Sequence, residues 1–585
     1  MYANSVKTRK RNNEDFLVVH PNLLNEMNNQ LTEDVLRIWR EEGQNLIPQN
    51  FATFQILLSQ AKNLAQRGQY DAAAVYGQIA ANYAQLNHCG FFTSPELENL
   101  LLIIGKKKIS SNYSQRDNLV GKTPQKILHV STNISSIGGI SRLMWRWIKQ
   151  DKERSHFVAL TRQVAENIPQ DIKDAVGESQ GKIYLLNEQV GGIITRAKRL
   201  QECAADADLV VLHTWEHDVV PIIAFADREH CPPIIHVNNG DHWFWVGASI
   251  CDILVNLRES GKVLSYQRRG IESQRNLVLP TILEPISRKI SRLEAKQQLG
   301  LDPNSILLLS IARSVKYKTV GNVNFAEAHL ALLNKYQNAI LIVIGAGNLD
   351  EDWSEAIAKT QGRIRVLGET KDTATFYQAA DIYVDSFPFV SITSLLEAGS
   401  YGVPLVSRYP YNSDKCGVLG SDMPGLADNL IRVKDIEEYT QVLAKLVEDE
   451  EFRLSLGEAT RSKIVAHHWG DNWQHLLDRV YHQAMTVSKQ TIVPNGIAEM
   501  SLGEPDVFLP SVNRTELRTV VHWHLSLMPS RQRWRLWFSL VQQYGYHQNP
   551  LNSLLSEKAK SYYYLWRSLI LSHFRSWLKG EVYDS

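Results

Sequence analysis

The most informative stretch of the 585-residue chain is 385–406, DSFPFVSITSLLEAGSYGVPLV, where Thr393 and Ser394 precede a carboxylate, Glu397. An apolar, strand-like run enters a polar turn, and the pattern predicts a helix opening near Thr393-Ser394. Hydroxyls and free backbone N–H groups at a helix start favour an anion such as a diphosphate, because the macrodipole places partial positive charge there. Glu397, about one turn further on, has the oxygens to accept both hydroxyls of a ribose as charge-assisted bonds. Ser394-x-x-Glu397 also fits a capping box, in which both residues serve only the helix.

Arg313 and Lys318 lie five residues apart just after the apolar run Ile306 to Ile311. A guanidinium fork and an ammonium point charge at the carboxyl end of a strand neutralise charge that builds on a departing diphosphate. As an isolated pair they equally fit solvated surface charges. The glycine loop Ile137-Gly138-Gly139-Ile140 follows the first strand-like run, and Ser141 is placed to cap the helix after it. It lacks GxGxxG spacing, so it fits a bare turn as well as a phosphate contact. Two polar clusters follow strands in the same half, one from His213 to Asp218 and one from His236 to His242. They offer His213 as a catalytic group and Glu216, His217, Asp241 and His242 as ligands for acceptor or sugar hydroxyls. No HExxH or paired Cys/His spacing is present, so no metal site is expected.

The donor-side stretch resembles the family-4 retaining glycosyltransferases (glycosyl transferases group 1), whose motif reads approximately Glu-Gly-Phe-Gly-x-x-x-Leu-Glu-Ala-x-x-x-Gly-x-Pro. Leu396-Glu397-Ala398 and Gly402-Val403-Pro404 match it. Ile311-Ala312-Arg313 with Lys318, Ile344-Gly345-Ala346-Gly347, and Arg365-Val366-Leu367-Gly368-Glu369 ahead of Tyr377 to Asp381 follow in the family's order. The resemblance spans about Lys126 to Tyr481. It implies a GT-B fold, donor binding by Gly138, Gly139, Arg313, Lys318, Gly345, Leu367, Thr393, Ser394 and Glu397, and a ribose role for Glu397. It also implies a nucleotide sugar such as a UDP-sugar as co-substrate, no other cofactor, and retaining hexosyl transfer to a glycan, lipid-linked or other acceptor. The family's first motif glutamate falls on Phe389, eight positions before Glu397. Phe387-Pro388-Phe389 with Ile392-Thr393-Ser394 is similar to the broader GT-B group that includes protein O-GlcNAc transferases. A nucleotide-sugar epimerase of the same fold and a non-catalytic nucleotide-sugar-binding scaffold stay open as alternatives.

The elements that must position these residues are legible as texture. Short β-rich runs alternate with amphipathic stretches, from Lys126 to Val130 through Asp252 to Asn256 and again from Ile306 to Ile311 through Pro404 to Ser407. This is the pattern of two doubly wound parallel sheets. The expected organisation is a helical N-terminal extension (1–122), an acceptor-side Rossmann-like domain (123–285), a donor Rossmann-like domain (286–487), a linker (488–513) and a helical C-terminal module (514–585). Ala61 to Gln85 has the small-residue look of one tetratricopeptide-like hairpin.

With 63 basic and 62 acidic residues, the net charge of +1 gives no global pull toward nucleic acid. The five cysteines are scattered singly, as in a reducing compartment. Lys7 to Arg11 leads into polar residues and no apolar run is long enough to span a bilayer, so the expected location is cytoplasmic. In the C-terminal module, Trp523, Trp534, Trp537, Trp566 and Trp577 interleave with Arg531, Arg533, Arg535, Arg567, Arg575 and Lys579. That composition suits peripheral membrane contact, or a helical pair whose indoles pack on the core.

Overall fold

The computed structural model describes residues 21–109, 121–489 and 499–545, with short internal breaks, and positions 554 and 555. The apolar runs build two parallel sheets. The first contains β1 (Lys126–Ser131), β2 (Ser155–Leu160), β3 (Ile183–Leu185), β4 (Leu209–Leu212), β5 (Ile234–Asn238), β6 (Ile253–Asn256) and β7 (Asn276–Val278), in the order β3-β2-β1-β4-β5-β6-β7. The second contains β8 (Ile306–Ile311), β9 (Ala339–Ile344), β10 (Ile364–Leu367), β11 (Ile382–Val384), β12 (Leu405–Arg408) and β13 (Leu430–Val433), in the order β10-β9-β8-β11-β12-β13. In each sheet the strand order reverses beside the first strand, between β1 and β4 and between β8 and β11. An open α/β sheet leaves a ligand crevice at the carboxyl ends there. The molecule is thus of the two-Rossmann, GT-B class. β7 and β13 escape the sequence pattern, where Asn276 and Arg432 interrupt short apolar runs.

Each sheet is mostly apolar on both faces, as parallel strands require, with buried histidines and asparagines interrupting the first. One face of the first sheet shares a core with the N-terminal helices: Leu128, Val210 and Ile234 pack with Leu58, Ala73 and Leu101. Val520, Val521 and Met528 join the same cluster. Two helices of the extension, Pro21–Gln66 and Tyr70–Leu86, are joined by a tight turn at Gly68, whose φ of 73° suits glycine. A third helix, Pro95–Lys108, is pinned through Glu98, whose buried carboxylate accepts the backbone N–H groups of Gly247, Ala248 and Ser249. The extension is therefore part of the first domain's core.

The other face is closed by the helix Gly470–Thr486, which crosses back from the second domain. Its Trp473, Leu477 and Tyr481 pack with Ile127, Trp147 and Val211. Within the stretch read from composition as a linker, 506–512 forms short helical turns in which Val507, Phe508 and Leu509 are buried with Leu36, Ile47 and Phe389. Asp506 ties this segment to the first domain by accepting from Arg268 at 2.7 Å and pairing with His88 at 2.8 Å.

Candidate functional site

At the end of β11, Asp385 shapes the turn that sequence reasoning selected. It accepts the Ser391 N–H at 2.9 Å and the Ser407 hydroxyl at 3.1 Å. Burial raises its pKa to about 7, against the pull of the Ser391 N–H and the Lys316 charge. The helix that follows runs Ile392–Ser400 with Ser391 at its N-cap and no side-chain capping bond. Ser394 thus lies inside the helix, where its hydroxyl meets that of Ser391 at 3.2 Å, and the capping-box alternative is not realised. Glu397 is only 6% exposed. Its carboxylate accepts from Arg142 Nη1 at 2.5 Å, from Arg146 Nη2 at 3.5 Å and from the Tyr377 hydroxyl at 3.3 Å.

Those arginines come from the first domain. The glycine loop ends at Gly138, whose φ of 133° is open only to glycine at low cost, and the helix begins at Gly139. Ser141 is therefore not the cap; its hydroxyl oxygen accepts the Ser135 N–H at 3.1 Å. A Cβ on Gly139 would stand 3.0 Å from the Thr393 hydroxyl, so the loop's backbone abuts the start of the donor-side helix. Arg142 and Arg146, one turn apart on that helix, were not singled out by sequence. Their i, i+4 spacing directly after Gly-Gly was the available signal.

The cations around β8 are not arranged as the motif implied. Arg313 is exposed at the strand's end. Lys318 turns away from it: its ammonium donates to the Ser511 carbonyl and lies 5.6 Å above the Phe389 ring. The 3-10 turn Ser314–Lys316 instead delivers Lys316 to the donor-side helix, donating to the Val390 carbonyl at 2.7 Å. Burial lowers its pKa to about 8. Gly345, after β9, lies next to the end of β8, and its N–H is bonded to the carbonyl of Leu367 at the end of β10 at 2.9 Å. A Cβ on Gly345 would stand 2.7 Å from the Ala312 carbonyl oxygen.

The first-domain candidates divide. His213 is fully buried, 3.0 Å from His129, which is 3.0 Å from His156. Burial, then His236, lowers the His213 pKa to about 3, so it stays neutral. Glu216 accepts from Gln85 at 2.8 Å and His217 contacts Gln85 at 2.6 Å, so both face the N-terminal helices. Burial lifts Glu216 to about 7 and lowers His217 to about 3. Asp241 takes both Arg258 forks, at 2.6 and 2.9 Å, and Arg258 reaches Asp422 of the second domain at 3.2 Å. Asp241 is thereby an interdomain tie, with His242 beside it at 3.4 Å. Among these described candidates, the glycine loop is the one brought against the helix that carries Glu397.

Residues 291–463 match the family model described as Glycosyl transferases group 1. No match is found among curated proteins. A glycosyltransferase from Rickettsia africae ESF-5 is similar in structure, with TM-score 0.48 and 14% identity over 62% of this chain and 99% of its own. Anabaena HepE in complex with UDP and glucose gives 0.45 and 14%, over 61% and 98%. The Thermobaculum terrenum O-GlcNAc transferase gives 0.43 and 14%, over 76% and 85%. The family match lies within the second Rossmann domain, with Arg313, Lys316 and Glu397 inside it.

Proposed function

We propose that this chain is a glycosyltransferase that takes a hexosyl group from a nucleotide-diphosphate sugar at the carboxyl edge of the second sheet. The acceptor is a hydroxyl of a glycan or lipid-linked saccharide presented by the first domain. The observation that carries this reading is Glu397: a buried carboxylate released from any capping role, beside the strand-order reversal, aimed at the other domain. It suits a ribose. Thr393, Ser394, Arg313 and Lys316 suit the diphosphate.

In the transfer, the bond from the anomeric carbon to the diphosphate oxygen breaks and its electron pair leaves with the nucleoside diphosphate. The acceptor oxygen bonds to that carbon, and its proton passes to the departing diphosphate. Attack from the departing face retains configuration. Cations at the phosphates act most strongly in the transition state, where this charge develops. The co-substrate is the nucleotide sugar, with no further cofactor called for. Closure of the two domains excludes water, the competing acceptor.

The reaction is tested by thermal-shift binding of UDP, GDP, ADP and their sugars, followed by product analysis. Nucleoside diphosphate release that depends on acceptor supports transfer. An altered donor sugar without acceptor points to an epimerase, and binding without turnover to a scaffold.

We place the protein in the cytoplasm, peripheral to a membrane. No helix among the described residues is long and apolar enough to cross one. On the helix Ser530–Tyr544, Trp534 and Phe538 are 57% and 56% exposed, one turn apart and flanked by exposed Arg531 and Arg535. Large exposed aromatics beside cations suit the interface of an anionic leaflet. Trp566 and Trp577 lie outside the described residues.

A further inference from the structure

The geometry points to Arg142 and Arg146 as leaving-group cations supplied by the first domain, parked on Glu397 until the donor's diphosphate arrives. This inference rests on the nucleotide-sugar reading and goes beyond it, since it moves part of the phosphate-binding charge across the cleft.

Both guanidiniums converge on one oxygen, Glu397 Oε1, at 2.5 and 3.5 Å, while Tyr377 takes Oε2 at 3.3 Å. The Nε atoms of both arginines are buried without a hydrogen-bond partner. The further carboxylate at hand is Glu284, half exposed, whose oxygen stands 3.7 Å from the Arg146 Nε as a long ion pair. A carboxylate offers about four acceptor positions. Two ribose hydroxyls added to the three donors already present exceed that number, so nucleotide binding displaces at least one of them.

The displaced guanidinium has a new acceptor close by. Arg142 stands one turn into the helix that starts at Gly139, whose backbone abuts Thr393 at the head of the donor-side helix. Lys316 reaches the same turn through the Val390 carbonyl. A diphosphate seated there lies between Lys316 on one side and the Arg142–Arg146 face on the other. The need for such cations is visible in Lys318, whose ammonium is spent on the Ser511 carbonyl. As the anomeric carbon–oxygen bond breaks and its electron pair settles on the diphosphate, a bidentate guanidinium fork is the side chain best matched to the phosphate oxygens. The same exchange makes domain closure sense the donor, because one ion pair between the domains is traded for another that includes the ligand.

The test compares a nucleoside with its diphosphate by calorimetry: uridine against UDP, guanosine against GDP and adenosine against ADP, on the full chain. Wild type, Arg142→Ala, Arg146→Ala and the charge-preserving Arg142→Lys are measured, with melting curves to verify folding. The expected result is a loss of about tenfold or more in diphosphate affinity in the alanine variants, with nucleoside affinity unchanged or raised because Glu397 is freed. Arg142→Lys recovers part of the loss. Equal strengthening of nucleoside and diphosphate would make the arginines a simple latch and overturn the assignment, as would diphosphate affinity equal to wild type. Should Arg142→Ala fail to fold, Arg142→Lys decides through its loss of the bidentate fork. If wild type binds none of the six ligands, the nucleotide-sugar reading itself fails and this inference falls with it.

Discussion

Trp39 of the N-terminal helix stacks on Phe389 of the loop after β11, with ring centroids 6.1 Å apart and planes 14° from parallel. Phe389 occupies the place of the motif glutamate in the resembling family, and here that place is filled by packing. It is 7% exposed in a cluster with Leu36, Tyr411, Val418 and Phe508. The helical extension thus takes hold of the donor-side loop at the position where the sequence departs from the motif.

Restoring the carboxylate is expected to harm the protein. Phe389→Glu would remove an aromatic whose deletion typically costs roughly 3–5 kcal/mol and would bury a charge, with Lys318 as a partial partner. Melting temperature should fall and nucleotide affinity should not rise. Trp39→Ala, which leaves the loop's own sequence intact, should lower both to a smaller degree. A Phe389→Glu protein as stable as wild type and with tighter donor binding would show that the stack is incidental.

Glu397→Ala should weaken nucleoside binding by on the order of 1.5 to 3 kcal/mol, the range for hydrogen bonds to a charged group. Calorimetry with nucleosides isolates the ribose contribution from the phosphates. Unchanged nucleoside affinity in a folded variant would remove Glu397 from the ribose site.

Arg313 should act on the chemical step. Its removal is expected to lower kcat by roughly 10² or more, as for other preorganised groups that meet developing charge. Steady-state kinetics of Arg313→Ala separates this from a defect confined to KM, which would signal uniform binding and contradict the role.

Lys316 gives a pH signature. Burial depresses its folded pKa from 10.5 to about 8, so its charge is lost in the folded protein as pH rises through about 8. Diphosphate affinity should fall over that range, and Lys316→Arg, charged throughout, should not show the fall. The stability consequence has the opposite sign. Between about 8 and 10.5 the unfolded chain binds the extra proton, so the penalty of burying the charged lysine is relieved and stability from this group rises with pH. Parallel pH profiles of binding in wild type and Lys316→Arg would remove Lys316 from the phosphate site.

Liposome co-sedimentation tests the membrane reading. Replacing Trp534 and Phe538 by serine, or Arg531 and Arg535 by glutamate, should release the protein from anionic vesicles, and added salt should do the same. These exposed residues are preferable to truncation at 513, because Val520, Val521 and Met528 beyond that point belong to the first domain's core. Wild-type protein left in the supernatant with anionic lipid at low salt would end the proposal.

What the sequence determined by itself was local. Apolar runs such as Ile306–Ile311 and Ala339–Ile344 became strands at the expected residues, because a strand buried on both faces reads as a near-continuous apolar run. Gly68, Gly138 and Gly345 mark turns for a reason internal to the backbone, their positive φ. The helix start around Thr393 and the position of Glu397 within it were likewise readable, since the change from an apolar run through a polar turn to a helical pattern is local. Tertiary structure alone decided the rest. The Arg142–Glu397 pair spans 255 residues of sequence and exists only because two independently wound sheets set their carboxyl edges face to face. Which lysine serves the donor-side turn depended on a single 3-10 turn that advances Lys316 and sends Lys318 to Ser511. The Pro- and polar-rich composition of 488–513 reads as linker, yet Val507, Phe508 and Leu509 within it are buried, because the apolar partners that cover them, Leu36, Ile47 and Phe389, come from the N-terminal helix and the donor-side loop. Local propensity has a reach of a few residues, whereas burial is set by surfaces that meet only when the whole chain has folded.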